Sequence, residues 1–369
     1  MESQDNKPTC LHSRHVALGA LMSPFGGFDM PIQYAGIVEE HNAVRNACGV
    51  FDVSHMGEMW IKGADALKFV NFLFTNDITS GETGKCFYGM MLNGRGGVVD
   101  DLLVYKHSDT ELFLVFNAAN IEKDRRWISE HAVDYDVIIE DMCDSIGELA
   151  IQGPLAEQVV ETVLSIPCRE LAFYTFKLAR WNDADIIVSR TGYTGEDGFE
   201  IYAQHDAICA MWDALIESGR CMPCGLGCRD TLRFEVGLPL YGDELTDDIS
   251  PIEAGLGSFV KIDKEGGFIG RDAVAQVKSQ GPARRLVGIE LSDRAIPRHG
   301  YEVLDATTDH VIGHVTTGYH AISVDKSVAM ALIESAYAGL DTPVRIRIRR
   351  KTFPGRVVKK RFYDKHYKK

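Results

Sequence analysis

The chain has 369 residues, 45% of them hydrophobic and 25% charged; at roughly 150 residues per domain this suggests two or three globular domains and argues against a disordered or fibrous chain. A formal net charge of −14 argues against general nucleic-acid binding, which needs a basic face. The charge is uneven, because residues 341–369 carry twelve Lys and Arg against two Asp, and such asymmetry marks either a surface for an anionic partner or a solvated tail.

Residues 1–10 contain acidic side chains and no apolar stretch, unlike a secretory signal or an Arg-rich transit peptide. No apolar run approaches the roughly 18 residues of a membrane span. The expectation is a cytoplasmic protein of bacterial type, with a mature organellar form as the alternative. Nine cysteines, odd in number and mostly scattered, suit reduced thiols.

Residues 64–74 have helical apolar spacing, and so do residues 119–133, with Asn117 or Asn120 available as a cap. Between them, residues 101–106 and 111–116 read as paired strands joined by a turn at 107–110. Residues 148–151 read as a strand that runs through Gly153-Pro154 into a helix over 155–164. Residues 183–190 and 199–203 are β-like around the glycine-rich TGYTGEDG, and 206–218 form an amphipathic helix. This mixture favours α+β layers over a doubly wound sheet. Beyond Pro282 the pattern becomes all-β, with strands expected at 285–291, 311–317, 327–333, 344–350 and 355–362, as in a small barrel or sandwich. In VRIRIRR, alternation sets Val344, Ile346 and Ile348 on one face and Arg345, Arg347 and Arg349 on the other.

Several familiar signals fail. The stretch from Gly81 to Lys85 lacks the first glycine and the hydroxyl of a phosphate-binding loop, and no G-x-G-x-x-G opens a helix. Asp52, Ser54 and His55 are too close in sequence to form a hydrolase triad. His310 and His314 read as ordinary strand histidines. Cys221, Cys224 and Cys228 have thiolate spacing that would suit zinc or part of an iron–sulfur cluster, but no fourth Cys or His follows nearby, and the preferred reading is small half-buried residues around a turn, with no metal.

Two stretches are more informative. Asp100 and Asp101 interrupt the apolar run that begins at Val98, and alternation points them to opposite faces, one of them inward. A carboxylate in an apolar wall is paired, neutral or functional, although an aspartate capping backbone amides is an equally ordinary explanation. The second stretch runs from Arg190 to Glu200. Its glycines permit tight turns and close approach to a ligand, its Glu196 and Asp197 are expected in solvent, and Glu200 begins the returning strand, where a carboxylate could accept two parallel hydrogen bonds. A hairpin without ligand fits the spacing equally well.

Asp52-Val-Ser-His-Met56, Gly96-Gly-Val-Val-Asp-Asp101, Ala150-Ile-Gln-Gly-Pro154, Gly192-Tyr-Thr-Gly-Glu-Asp-Gly-Phe-Glu200, Gly225-Leu-Gly-Cys-Arg-Asp230 with Leu232-Arg233, and Gly237-Leu-Pro-Leu-Tyr-Gly242 occur in this order. Together they resemble the T-protein of the glycine cleavage system, the tetrahydrofolate-dependent aminomethyltransferase, over roughly residues 11–369. The resemblance implies a three-domain α+β cloverleaf with folate in a central opening. Its first, discontinuous domain would comprise 1–50 plus 148–280, its inserted second domain 51–147, and its distorted β-barrel 281–369. The implied reaction passes the methylene of an aminomethyl group on the lipoyl arm of the H-protein to tetrahydrofolate, releasing ammonia, with an iminium-like cation as the carbon departs. The family's essential aspartate falls on Asp101. Glu200 maps to the residue gripping the pterin, Arg229 and Tyr367 to further folate contacts, and Met56, Tyr88, Asn117, Tyr193 and Tyr241 to the pocket. No metal is implied.

The basic strand and tail then have two anionic candidates, the H-protein and the carboxylate tail of folate, and a contribution to H-protein docking is expected. Cys228 stands where the family usually has a small residue, and Arg361 stands where proline is common before Phe362. Related folate enzymes include demethylases of dimethylsulfoniopropionate and flavin-linked oxidising enzymes, whose flavin domain this chain lacks. A non-catalytic folate protein of iron–sulfur assembly would carry a Lys-Gly-Cys motif where this chain has Tyr193-Thr-Gly-Glu-Asp-Gly-Phe-Glu200.

Overall fold

The computed structural model describes residues 6–367. Residues 1–5, where the segment read as neither signal nor transit peptide begins, and Lys368 and Lys369 of the basic tail lie outside it.

Three sheets carry most of the chain. The strand Ile146–Gln152 lies at the heart of a six-stranded sheet, antiparallel to Gly49–Asp52 on one side and Gly198–Gln204 on the other; Ala184–Ser189 and Phe176–Trp181 extend it outward. Its two faces have different fates. Leu149, Ile151, Phe199 and Ile201 point to a core closed by the helices Ala156–Val163 and His205–Glu217. The alternate residues, Glu148 opposite Tyr202 and Ala150 opposite Glu200, look the other way.

Between Gly49–Asp52 and Ile146–Gln152 the chain leaves this sheet and builds a five-stranded one, ordered Lys85–Leu92, Val98–Lys106, Glu111–Phe116, Gly57–Lys62 and Ile138–Asp141. The helix Ala66–Leu73 seals one face by burying Ala66, Phe69, Val70 and Leu73, the spacing of a single helical stripe. Asn120 stands at the N-cap of the helix Ile121–His131 but makes no side-chain cap bond; its amide and that of Asn117 are drawn to Asp100 instead. Residues from Leu245 to Val274 pack against Met90, Leu92 and Val98 at the edge of this second sheet.

The C-terminal part is a closed six-stranded antiparallel barrel: Arg284–Leu291, Lys326–Glu334, Val311–Ala321, Glu302–Asp305, Pro343–Ile348 and Lys351–Val358. Val344 and Ile346 fill its interior, as alternation requires. Glu302–Asp305 is a strand too short for the sequence pattern to reveal. The strand expected at 344–350 ends earlier, because the chain reverses at Arg349, whose φ is 58°. The arginine face of that strand is occupied by its own barrel: Arg345 donates to the Asp305 carbonyl at 3.2 Å and pairs with Asp309 at 3.4 Å, and Arg347 pairs with Glu302.

Candidate active site

The outward faces of the two large sheets, the 237–239 turn and the C-terminal tail enclose a cavity of about 490 Å³, within the usual range for a small-molecule site. Asp101, Tyr88 and Asn117 reach it from the five-stranded sheet, Glu200, Tyr193 and Met56 from around the six-stranded sheet, Arg229 from the helix Leu226–Glu235, and Tyr367 from the tail. Tyr241 lies apart from the wall, its hydroxyl accepting from the Lys123 ammonium at 2.6 Å.

Asp101 is held from two sides. The Tyr88 hydroxyl donates to one carboxylate oxygen at 2.9 Å, and the Asn117 side-chain amide donates to the other at 3.0 Å. The same amide reaches Asp100 at 2.9 Å, so one side chain straddles the aspartate pair. Asp100 faces away from the cavity, where it also accepts from the Asn117 backbone at 3.0 Å and the Asn120 amide at 2.7 Å. Burial, then the neighbouring charge of Asp100, push the Asp101 carboxyl up to about 7. It is a group poised to change protonation near neutral pH.

Across the cavity, Glu200 is fixed by the Thr191 hydroxyl at 2.5 Å. Burial raises its carboxyl above the usual range, against the opposing pull of Thr191 and of the Arg229 charge. Arg229 lies over the Tyr193 ring with its guanidinium carbon 5.0 Å from the centroid, and its Nη1 has no hydrogen-bond partner among the described residues. An unpaired guanidinium nitrogen beside a carboxylate in a cavity is a donor awaiting an acceptor. Tyr367 stacks on Phe173 with centroids 4.2 Å apart, forming an aromatic wall. Burial holds the Tyr367 phenol neutral, pushed up to about 12.

Sequence reasoning missed Glu148, Lys360 and Lys365, all in the wall. Glu148 carries the same signal as Asp100 and Asp101, an acid inside an apolar strand; burial and the Glu200 charge raise it well above the usual carboxylate range. Lys360 donates to the Ala254 carbonyl at 2.6 Å, and burial lowers its ammonium to about 8.

Two expectations are corrected. Glu196 and Asp197 are buried rather than solvated: Glu196 pairs with Arg45 at 3.0 Å and Asp197 accepts two hydrogen bonds from Arg190, itself almost fully buried. The loop is thereby pinned from beneath, and a Cβ on Gly192 would fall 2.0 Å from the Gln152 amide, so this glycine answers to packing as well as to the cavity it lines. Cys221, Cys224 and Cys228 are buried rather than half-buried. Cys224 and Cys228 lie with Glu40 within 4.8 Å of one another, but the Glu40 carboxylate already accepts the backbone N–H groups of Tyr34, Gly36 and Gly225 and serves as a cap. Asp52 pairs with His15 at 2.8 Å, not with His55, whose ring sits among Phe25 and Phe28.

Among the described residues no helix is long and apolar enough to cross a membrane. The family model for the GCVT N-terminal domain matches residues 11–264, and that for the glycine cleavage T-protein C-terminal barrel domain matches residues 284–364. The chain is 48% identical over 367 residues to an aminomethyltransferase of Alkaliphilus oremlandii, covering 98% of this chain and 99% of the other. It is 48% identical over 373 residues to one of Caldanaerobacter subterraneus, covering 100% and 99%. The crystal structure of the glycine cleavage system aminomethyltransferase T from Bartonella henselae superposes with a TM-score of 0.94 at 31% identity, covering 99% of this chain and all of that one.

Proposed function

The chain belongs to the glycine cleavage T-protein family of aminomethyltransferases, and from that premise we propose that its central cavity is the tetrahydrofolate site, with Asp101 as the catalytic carboxylate. The reaction takes the methylene of the aminomethyl group on the lipoylated H-protein to tetrahydrofolate, giving 5,10-methylenetetrahydrofolate, ammonia and dihydrolipoyl H-protein. In this reading the chain divides as 1–50 with 148–280, 51–147 and 281–369, no metal takes part, and the H-protein is the partner that delivers the substrate.

The residues suit such a ligand. Glu200, fixed by Thr191, presents a carboxylate able to accept two parallel N–H bonds from the amidine-like edge of a pterin. Arg229 has an Nη1, without a hydrogen-bond partner among the described residues, to meet an acceptor on the same ring system. Phe173 and Tyr367 offer an aromatic face, and Lys360 and Lys365 offer cations for a carboxylate tail. Bound there, tetrahydrofolate supplies the nitrogens that take up the one-carbon unit.

Asp101 does the work on the protein side. As the aminomethyl carbon leaves sulfur, positive charge grows between carbon and nitrogen, and a fixed carboxylate in a low-dielectric wall stabilises that charge without reorganisation. Tyr88 and Asn117 keep it aimed. The observation that carries the reading is this carboxyl, half-buried in the wall of the central cavity and pushed up to about 7.

The test is ammonia release from aminomethyl-loaded H-protein, with and without tetrahydrofolate. Folate-dependent release in the wild type, and loss of turnover with retained folate binding in Asp101→Asn, are expected. Wild-type turnover in that variant would refute the assignment.

A further inference from the structure

Asp124 lies on the first turn of the helix Ile121–His131 and is completely buried, yet neither carboxylate oxygen has a hydrogen-bond donor among the described residues. Its polar neighbour is Asp100, equally buried. The two differ in how an anion would be received. Asp100 has three donors, from the Asn117 backbone, the Asn117 amide and the Asn120 amide. Asp124 has none. Two carboxyls that meet out of water cannot both ionise, and the proton rests on the one whose anion is unsupported.

We propose that Asp124 is a positioning residue for the aspartate pair: a carboxyl that keeps its proton at neutral pH, donates it to Asp100, and so holds Asp100 as an anion beside the catalytic Asp101. The inference rests on Asp101 being the reacting carboxylate. Asp100 then has four donors, and the Asn117 amide that fixes it fixes Asp101 as well. The charged and titratable groups around Asp124 are few. Asp100 and Asp101 oppose its ionisation and Lys123 favours it; the Lys123 ammonium is turned to the hydroxyl of Tyr241, a further titratable group facing this carboxyl, at 2.6 Å. Burial comes first and the Asp100 charge second in pushing the Asp124 carboxyl up to about 11.

Infrared spectroscopy of the full chain at pH 7 reads this proton directly. The spectrum of the wild type is expected to contain the carbonyl stretch of protonated buried carboxyls, and that of D124N, whose amide occupies nearly the same volume, is expected to lack one such component. An unchanged acid band in D124N would overturn the proposal. This comparison needs no turnover, so it stands or falls separately from the role of Asp101.

Kinetics supply the second reading. The side-chain amide introduced by D124N still offers an N–H to Asp100, whereas D124L offers nothing. With the KM for tetrahydrofolate within about twofold in both, kcat is expected to fall about tenfold further in D124L than in D124N, the scale of one hydrogen bond to a charged group. Equal losses in the two variants would overturn the positioning role. Where D124L folds poorly, the infrared comparison still decides the protonation.

Discussion

Tyr88 donates its hydroxyl to the Asp101 carboxylate at 2.9 Å across adjacent strands, from a position two residues out of register. That bond favours the anion and opposes the burial that raises Asp101 to about 7. Tyr88→Phe removes it and leaves the desolvation in place, so the carboxyl becomes harder to ionise. Because the carboxylate form carries the chemistry, the acid limb of kcat/KM moves to higher pH, by about one unit for one charge-assisted hydrogen bond. Well above that limb the variant recovers most of its activity. A pH profile of Tyr88→Phe that overlays the wild type would show that the phenol does not tune Asp101.

Glu200 tests the opposite wall. Its carboxylate is committed to Thr191 on one oxygen and is fully positioned before any ligand arrives. Replacing it by Gln keeps the size but turns one acceptor into a donor, which sets two N–H groups against each other at the pterin edge. The expected cost is about 2 kcal/mol of binding, about thirtyfold in Kd for tetrahydrofolate by calorimetry. kcat at saturating folate should change much less. A loss confined to kcat would move Glu200 out of the binding role.

How much of this was readable from the sequence depends on where a residue's partner lies. The strand Val98–Lys106 and the acids within it were legible, since a carboxylate breaking an apolar run needs an explanation wherever the chain folds. The solvated reading of Glu196 and Asp197 failed because their cations come from elsewhere: Arg45 lies about 150 residues away, and Arg190, though near in sequence, turns inward beneath the loop. Asp52 is likewise matched to a residue from elsewhere in the chain, His15 on the N-terminal helix His12–Ala17. The basic strand was legible as an alternation, but not that Glu302, Asp305 and Asp309 would lie against it. Local pattern gives the face of a side chain; it does not give what the rest of the fold brings to that face.

Lys360 gives a prediction on the alkaline side. Burial lowers its ammonium to about 8, so the cation is present below that pH and is lost as pH rises through it. A carboxylate tail is held only by the charged form. The Kd of tetrahydrofolate should therefore weaken between pH 7 and pH 9 in the wild type, by up to about tenfold. Lys360→Gln should bind more weakly at pH 7 and show a flatter dependence over the same interval. Equal slopes for the two proteins would assign the pH effect to another group.

Glu235 ties the barrel to the rest of the chain, and its charge sets an acid limit on stability. The carboxylate is fully buried, accepts the Ser323 backbone N–H of the barrel at 2.8 Å, and pairs with Arg45 at 3.2 Å and His41 at 3.3 Å. Burial alone would raise it, but the hydrogen bond and charge of His41, with Ser323, outweigh burial and hold it at about 2. A carboxyl lowered on folding stabilises the native state above its unfolded value of about 4.3 and loses that contribution as pH falls toward the folded value. The stabilisation should thus be complete at pH 5 and above and decline between about pH 4 and pH 2. Glu235→Gln is expected to lower the melting temperature at pH 7, because Arg45 and His41 lose their shared anion. It should also show a shallower loss of stability between pH 4 and pH 2 than the wild type. Calorimetric melting curves of the two proteins across that interval decide the point: parallel curves would mean that Glu235 is not what the acid titrates.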